Sequence, residues 1–336
     1  AKILELGCTL IDYEKICDDS GKRLIFFGRF AGLAGMIDSL WALGQRLRRN
    51  GFPTPLASIQ QAHEYDSLHE AKVAIRNAGE RIASEGLSEE LTPLIVGIAG
   101  YGNVASGVRE ILSELPTREV QPGNLERAFE DASSHCLYQT TFREEDLVET
   151  TDGRAFELQH YYDHPEGYRS SFDQFLPQLS VLMNCNYWDE RYPRLVTKKQ
   201  LRAMWSGDTP PRLWVIGDLG CDIEGAVECT LKCTEPSDPI YVYDPVEETI
   251  ASGVDGSGPV VLAVDILPAE LPREASDEFS SALASFLPGL AKADFDVPFS
   301  ELALPPELLG AVIAHRGKLT PDYRYIEAHL AAADRD

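Results

Sequence analysis

A chain of 336 residues with 44% hydrophobic and 25% charged residues can bury a sizeable core, and its length favours two domains over one. Lys and Arg number 30 against 54 Asp and Glu, a formal charge of -24, which disfavours nucleic acid or an anionic membrane as partner. No apolar run reaches the length of a bilayer span, and the start, Ala1-Lys2-Ile3, lacks the layout of a signal or transit peptide and reads as if mid-domain. Seven scattered cysteines, mostly in apolar runs, fit a reducing compartment: the cytoplasm, or the mitochondrial matrix in a eukaryote. Cys221, Cys229 and Cys233 cluster, but their spacing matches no common zinc pattern and no His lies near, so no metal is expected.

In chain order, residues 10–15 and 23–27, parted by a turn at 18–21, read as two short strands, too few for a stable domain by themselves. Over 31–50, Leu33, Met36, Ile37, Leu40, Leu43 and Leu47 recur at helical spacing, with Arg46, Arg48 and Arg49 at the C-terminal end and Gly51 as a stop. Gly28, Gly32 and Gly35 at its entrance suit close helix packing first and approach to a ligand second. Pro53 and Pro55 break the chain before an amphipathic helix over 67–85.

The next stretch organises the rest. Apolar Leu94, Ile95, Val96 and Ile98 give way to Gly100 and Gly102, and a helix resumes at Asn103 and Val104: strand, tight turn, helix. Such glycines let the backbone approach a diphosphate at the positive end of the helix. Ala105 stands where a third glycine often sits, and methyltransferases use similar loops, so S-adenosylmethionine is an alternative ligand. A short strand at 118–120 then ends at Gln121. In an NAD-type fold an acid about 20 positions beyond the glycines binds the ribose diol. Here that place holds Gln121, with Glu119 two residues before it, which favours NADP and leaves NAD open.

Apolar runs follow at 136–140, 179–185, 213–216, 240–243 and 260–264, spaced by polar or helical segments. This alternation predicts an α/β chain: a doubly wound, Rossmann-like parallel sheet with helices on both faces. Residues 273–290 read as helical, and the tail, apolar at 308–314 and again over 323–330, is expected to pack onto the N-terminal elements. The division is then a remnant of a substrate domain in 1–30, a dinucleotide-binding domain in 31–268 that includes the connecting helix 31–50, and a return to the substrate domain in 269–336. The two chain ends thus build a second, partial α/β domain.

The acids and glycines of 218–228 follow the strand at 213–216, at the edge where doubly wound sheets bind ligands. Asp222 is placed to hydrogen-bond a substrate amine, with Glu224 or Glu228 holding neighbouring groups; the plainer alternative is a solvated acidic loop with a helix N-cap. His160 and His164 stand four apart, but Pro165 argues against one continuous helix, and a structural role fits them better. His63 follows the proline break and suits either a cleft or a surface loop. No Ser-His-Asp arrangement, Walker loop or glycosidase-type carboxylate pair stands out.

Residues 28–35, 102–107, 218–228 and above all 264–276, with Leu267-Pro268 and Leu271-Pro272 followed by Glu274-Ala275, resemble the lysine-ketoglutarate reductase half of alpha-aminoadipic semialdehyde synthase. The likeness runs over about residues 10–330. The Leu-Pro-x-x-Leu-Pro-x-Glu-Ala pattern recurs in lysine-forming saccharopine dehydrogenases, and the wider group includes alanine dehydrogenase and a nicotinamide nucleotide transhydrogenase subunit. The resemblance implies a two-domain oxidoreductase that joins lysine and 2-oxoglutarate as an imine and reduces it with NADPH or NADH to saccharopine, or runs the reverse. It implies that Gly100, Gly102, Asn103, Val104, Gln121 and Asp265 hold the dinucleotide, that Asp222 is the catalytic acid facing nicotinamide and substrate, and that Asp12 and Arg23 bind substrate.

Two departures accompany it. Relatives tend to carry a polar residue where this chain has Ile266. The family's substrate domain also begins with roughly a hundred residues ahead of the matched part, a typical domain length, and these hold its Lys and His acid-base groups. The expectation is that a further segment, a partner chain or a homo-oligomer supplies that half. The alternative to an enzyme is a non-catalytic dinucleotide-binding or regulatory subunit.

Overall fold

The computed structural model describes residues 1–207 and 209–333. The chain forms two compact units, Gly28–Pro272 and the paired ends Ala1–Phe27 with Arg273–Asp336. The first boundary falls at Gly28, where the long helix begins, and the second at the start of the Pro272–Ala284 helix. No helix among the described residues is long and apolar enough to cross a membrane.

The strands in chain order are β1 (Leu10–Ile11), β2 (Ile95–Ala99), β3 (Thr117–Glu119), β4 (Leu137–Phe142), β5 (Val148–Thr150), β6 (Tyr168–Ser170), β7 (Val181–Asn184), β8 (Val215–Asp218), β9 (Ile240–Asp244), β10 (Thr249–Ser252), β11 (Val260–Leu262), β12 (Val312–His315) and β13 (Lys318–Leu319). Eight of them form the sheet of the larger unit, in the order β3, β4, β2, β7, β8, β11, β9, β10. From β3 to β11 every pairing is parallel.

The parallel sheet is therefore present, extended at one edge by β9 and β10, which run antiparallel. For the β9–β10 pair the reason is local. Asp244 accepts hydrogen bonds from the Val246 and Glu247 amides in a tight turn, and a tight turn can join only antiparallel neighbours. β10 is exposed along its whole length, so no core pattern marked it in the sequence.

Side chains alternate across the sheet. Ile95 and Ala99 join Leu182, Ile216, Tyr241, Tyr243 and Val261 in one cluster, completed by Phe142, Phe172, Leu176 and Leu201. Val96 and Ile98, equally buried, point to the opposite face. The Gly28–Arg49 helix packs on β7, β8 and β11, and Leu33, Met36, Ile37, Leu40, Leu43 and Leu47 are all fully buried. Each such side chain contributes about 1.5–3 kcal/mol by transfer out of water. Glycine sets its crossing with the Asn103–Leu112 helix: a Cβ at Gly32 would lie 1.9 Å from the Val104 carbonyl oxygen, and one at Gly107 would lie 2.1 Å from that of Arg29. Close helix packing is thus the role of Gly32.

In the smaller unit, β12 pairs with β1 on one side and β13 on the other, all antiparallel. Ile16, Ile25, Leu308 and Ala311 form its core. The strand expected over 23–27 is not formed. Among the described residues this stretch makes one isolated β-bridge, Cys17 with Arg23, and its apolar side chains are used in packing: Ile25 is buried and Phe27 stacks on Phe279 at 5.5 Å. The strand expected over 10–15 stops at Ile11, because Asp12 accepts the Glu14 amide and starts a 3-10 turn over Tyr13–Lys15.

Candidate functional site

β2 ends where the chain doubles back. Gly100 has φ +107, and a Cβ there would lie 2.6 Å from Asn186 Oδ1, so the turn needs glycine twice over. Gly102 is the N-cap of the Asn103–Leu112 helix, and no side chain caps it. A Cβ at Gly102 would meet nothing within 4 Å, so the space beside the helix's first residue is open. Partial positive charge gathers at such an end. The helix is held by Glu110, which pairs with Arg29 at 2.9 Å and Lys72 at 2.6 Å.

Register lines up the edge. Phe142 stands opposite Ala99, Ala99 opposite Asn184, and Asn184 opposite Asp218, so the residues just beyond them lie in a row at the C-terminal edge of the sheet. From β2 the chain moves by way of the helix toward β3 and β4, and from β7 it moves to β8 on the other side. The switch between these directions is where doubly wound sheets leave a crevice.

Gln121 is not brought to that crevice. It follows β3, which lies outside β4, two strand spacings or about 10 Å from β2. The strand beside β2 is β4, and the position next to the glycine turn belongs to Arg143, whose guanidinium sits 4.8 Å over the Tyr101 ring. Counting twenty residues from the glycines stopped at the first strand after the helix, whereas the order of strands across the sheet is interchanged here. The sequence did carry a signal: the run ending at Phe142 is the longer and more apolar of the two.

Beside Arg143, one oxygen of Glu144 accepts hydrogen bonds from the hydroxyls of Tyr101 at 3.3 Å and Tyr162 at 2.9 Å. Burial, and then this carboxylate, push the Tyr162 hydroxyl upward and keep it a donor. Glu144, Tyr161, Tyr162, Asn186, Trp188 and Tyr192 are among the walls of a cavity of about 280 Å³. No periodicity in the sequence marks this aromatic pocket, because its residues come from two short helices and the loops around them.

On the other flank, Asp218 is buried at the end of β8 and accepts from Asn184 Nδ2 at 2.8 Å and Thr230 Oγ1 at 2.6 Å. Burial raises its carboxyl to about 6 despite these bonds. The following loop is strained: Cys221 and Glu224 have φ of 53 and 50, costly for residues other than glycine. Asp222 lies between them, exposed, its carboxyl raised by partial burial.

The neighbouring acids are committed elsewhere. Glu224 pairs with Lys198, and Glu228 accepts the Lys198 amide at the start of the Lys198–Trp205 helix, whose N-cap is Thr197. Asp265 is exposed just past β11. Gly100, Gly102, Asn103, Val104, Asp222 and Asp265 thus share one unit, beyond the C-terminal ends of β2, β8 and β11.

Asp12 and Arg23 belong to the other unit, and both have local partners: Asp12 caps the Glu14 amide, and Arg23 pairs with Glu14 at 3.3 Å. His160 bonds Tyr168 and His164 bonds Glu166, after a helix that ends at Asp163, ahead of Pro165. His63 lies 3.5 Å from the buried Glu270 carboxylate.

No family model matches the chain. It is 38% identical over 97% of its length to alpha-aminoadipic semialdehyde synthase from Arabidopsis thaliana, and 32% identical over 99% to the mitochondrial protein of that name from Mus musculus. The chain is a homologue of one segment of the alpha-aminoadipic semialdehyde synthases. It spans 31% and 38% of those two proteins. With such coverage of the chain, the synthase likeness takes in both units and not the nucleotide-type sheet alone. An L-lysine-forming, NAD(+) saccharopine dehydrogenase from Emericella nidulans is 25% identical over 82% of the chain and 60% of its own length. Among solved structures, an L-alanine dehydrogenase matches with TM-score 0.55 at 15% identity, covering 98% of this chain and 71% of that one. This match shows the fold.

Proposed function

We propose that the chain is a nicotinamide dinucleotide-dependent oxidoreductase of the lysine-ketoglutarate reductase type, acting on the CH–NH group that joins lysine to 2-oxoglutarate in saccharopine. The observation that carries this reading is the open, uncapped helix start at Gly102, at the same edge of the sheet as the strained loop of Asp222, in a homologue of that synthase segment. The space left at Gly102, which a Cβ would fill, is what a diphosphate needs.

The amides of Asn103 and Val104 would take the diphosphate. Arg143 would take the 2′-phosphate of NADP, since it holds the place beside the glycine turn and Glu144 is occupied by two tyrosine hydroxyls. The flat adenine ring fits the aromatic cavity beside them. When bound, the nicotinamide supplies hydride to the imine carbon. Asp222 would orient the substrate nitrogen and hold its proton, with Asp265 at the end of the neighbouring strand. A positioned acid or base of this kind is worth ~10² to 10⁴ in rate.

The second reading, a dinucleotide-binding subunit without turnover of its own, draws on the local commitments of Asp12 and Arg23. Calorimetric titration with NADPH, NADH and S-adenosylmethionine, followed by an assay of NADPH oxidation with lysine and 2-oxoglutarate, separates them. Tighter binding of NADPH with turnover supports the first reading, and binding without turnover supports the second. Failure to bind either nicotinamide dinucleotide refutes both.

A further inference from the structure

Two acids that the proposed chemistry does not use lie buried behind the cofactor edge. Asp38, on the Gly28–Arg49 helix, is fully buried, and Glu270, closing the 3-10 turn Leu267–Glu270, is nearly so. That turn directly follows Asp265 and Ile266. One helical turn before Asp38, a Cβ at Gly35 would meet Leu219 at 2.3 Å and Leu267 at 3.2 Å, so this helix face touches both segments that lead to Asp222 and Asp265.

Asp38 Oδ1 accepts the Ala62 amide at 2.7 Å. Asp38 Oδ2 and both Glu270 oxygens have no donor of ordinary geometry among the described residues. The Leu267–Glu270 turn packs on this helix, and consecutive residues of one turn meet the two carboxyls, the Ala62 amide at Asp38 and the His63 ring at Glu270, so the two groups lie side by side. Two ionised carboxylates facing each other in a dry site repel and lose their hydration, so their contact requires a proton. Burial raises both groups, and for Glu270 the next cause is the neighbouring Asp38.

The other charges facing the pair come from the Ala62–Glu64 turn: His63 Nδ1 at 3.5 Å from Glu270 Oε2, and Glu64, whose carboxylate acts on Asp38 from farther off. On their own helix, Arg46 is turned to the carbonyls of Val254, Gly256 and Gly258.

We propose that Asp38 and Glu270 share one proton and through it fasten the Leu267–Glu270 turn to the Gly28–Arg49 helix, a positioning pair that holds Asp265 at the cofactor edge. The link to cofactor rests on the proposed function; the shared proton does not. Folding takes up this proton, because the carboxyls stand above their unfolded values. The contribution to stability is therefore full below the unfolded value and is lost as pH rises toward the folded one.

The test uses the full chain, with thermal unfolding and the amide exchange of residues 267 and 269–271, each rate taken relative to the unstructured rate at the same pH, followed from pH 6 to 10, and NADPH affinity measured alongside. Expected for wild type are a Tm that falls, exchange that quickens and a Kd that rises at least fivefold across the range. Glu270→Gln puts an N–H where the shared proton was. It should flatten all three profiles and keep the Kd at pH 7 within about twofold, while Glu270→Ala loosens the turn at every pH. Asp38→Asn serves as the second neutral partner. Wild-type profiles flat in Tm and exchange, or a Glu270→Gln profile as steep as wild type, overturn the proposal, as does loss of folding in both neutral variants. If no dinucleotide binds while Tm and exchange behave as stated, the shared proton stands and the functional reading falls.

Discussion

Gly32→Ala tests the link between helix packing and the proposed diphosphate site. The new Cβ would lie 1.9 Å from the Val104 carbonyl oxygen and 3.0 Å from the Gly107 Cα. A carbon sits comfortably at ~3.3 Å from such an oxygen, so the helices must part by about 1.4 Å. Both sides are backbone and neither can turn away. Overpacking of this kind costs ~3 kcal/mol, the upper end of the usual range, and the better helix propensity of alanine returns ~1 kcal/mol.

The net ~2 kcal/mol corresponds to a fall of about 4–8 °C in Tm. Because Val104 lies in the first turn of the Asn103–Leu112 helix, the same displacement should weaken NADPH at least tenfold. Gly102→Ala is the counterpart: its Cβ meets nothing within 4 Å, so it costs at most ~1 kcal/mol through a poorer N-cap, yet it intrudes where the diphosphate should lie. Differential scanning fluorimetry and calorimetry read both variants. Wild-type stability in Gly32→Ala would refute the packing argument, and undiminished NADPH binding in Gly102→Ala would refute the site.

Arg143→Ala should lower NADPH affinity tenfold or more and leave NADH nearly unchanged; equal losses for the two would remove the 2′-phosphate assignment. Asp222→Asn should keep NADPH affinity within about threefold while turnover of lysine with 2-oxoglutarate drops by ~10² to 10⁴, and unaltered turnover would take Asp222 out of the chemistry. Asp218 is raised from 3.8 to about 6 by burial, so its contribution to stability is full below 3.8 and lost as pH rises through 6. Two units correspond to at most ~3 kcal/mol. Asp218→Asn, still able to bond Asn184 and Thr230, should raise Tm at pH 8 more than at pH 5; equal effects at both would contradict this.

Local patterns determined a good part of this protein. The strand, glycine turn and helix over 94–107 were legible because each residue there meets a backbone demand set by its neighbours, and the buried stripe of the Gly28–Arg49 helix was legible because its spacing is helical. The segment at 264–276 carried the synthase likeness in its residue identities alone.

Tertiary structure decided what those patterns feed into. Which strand stands beside β2 depends on crossovers, and these put Arg143 rather than Gln121 next to the glycine turn. Residues 23–27 had the composition of a strand but are used in packing, with Ile25 buried and Phe27 stacked on Phe279. The contact of Asp38 with Glu270 and the aromatic cavity join residues far apart in the chain. No local propensity encodes such a meeting, because its energy exists only once the fold has removed water from both partners.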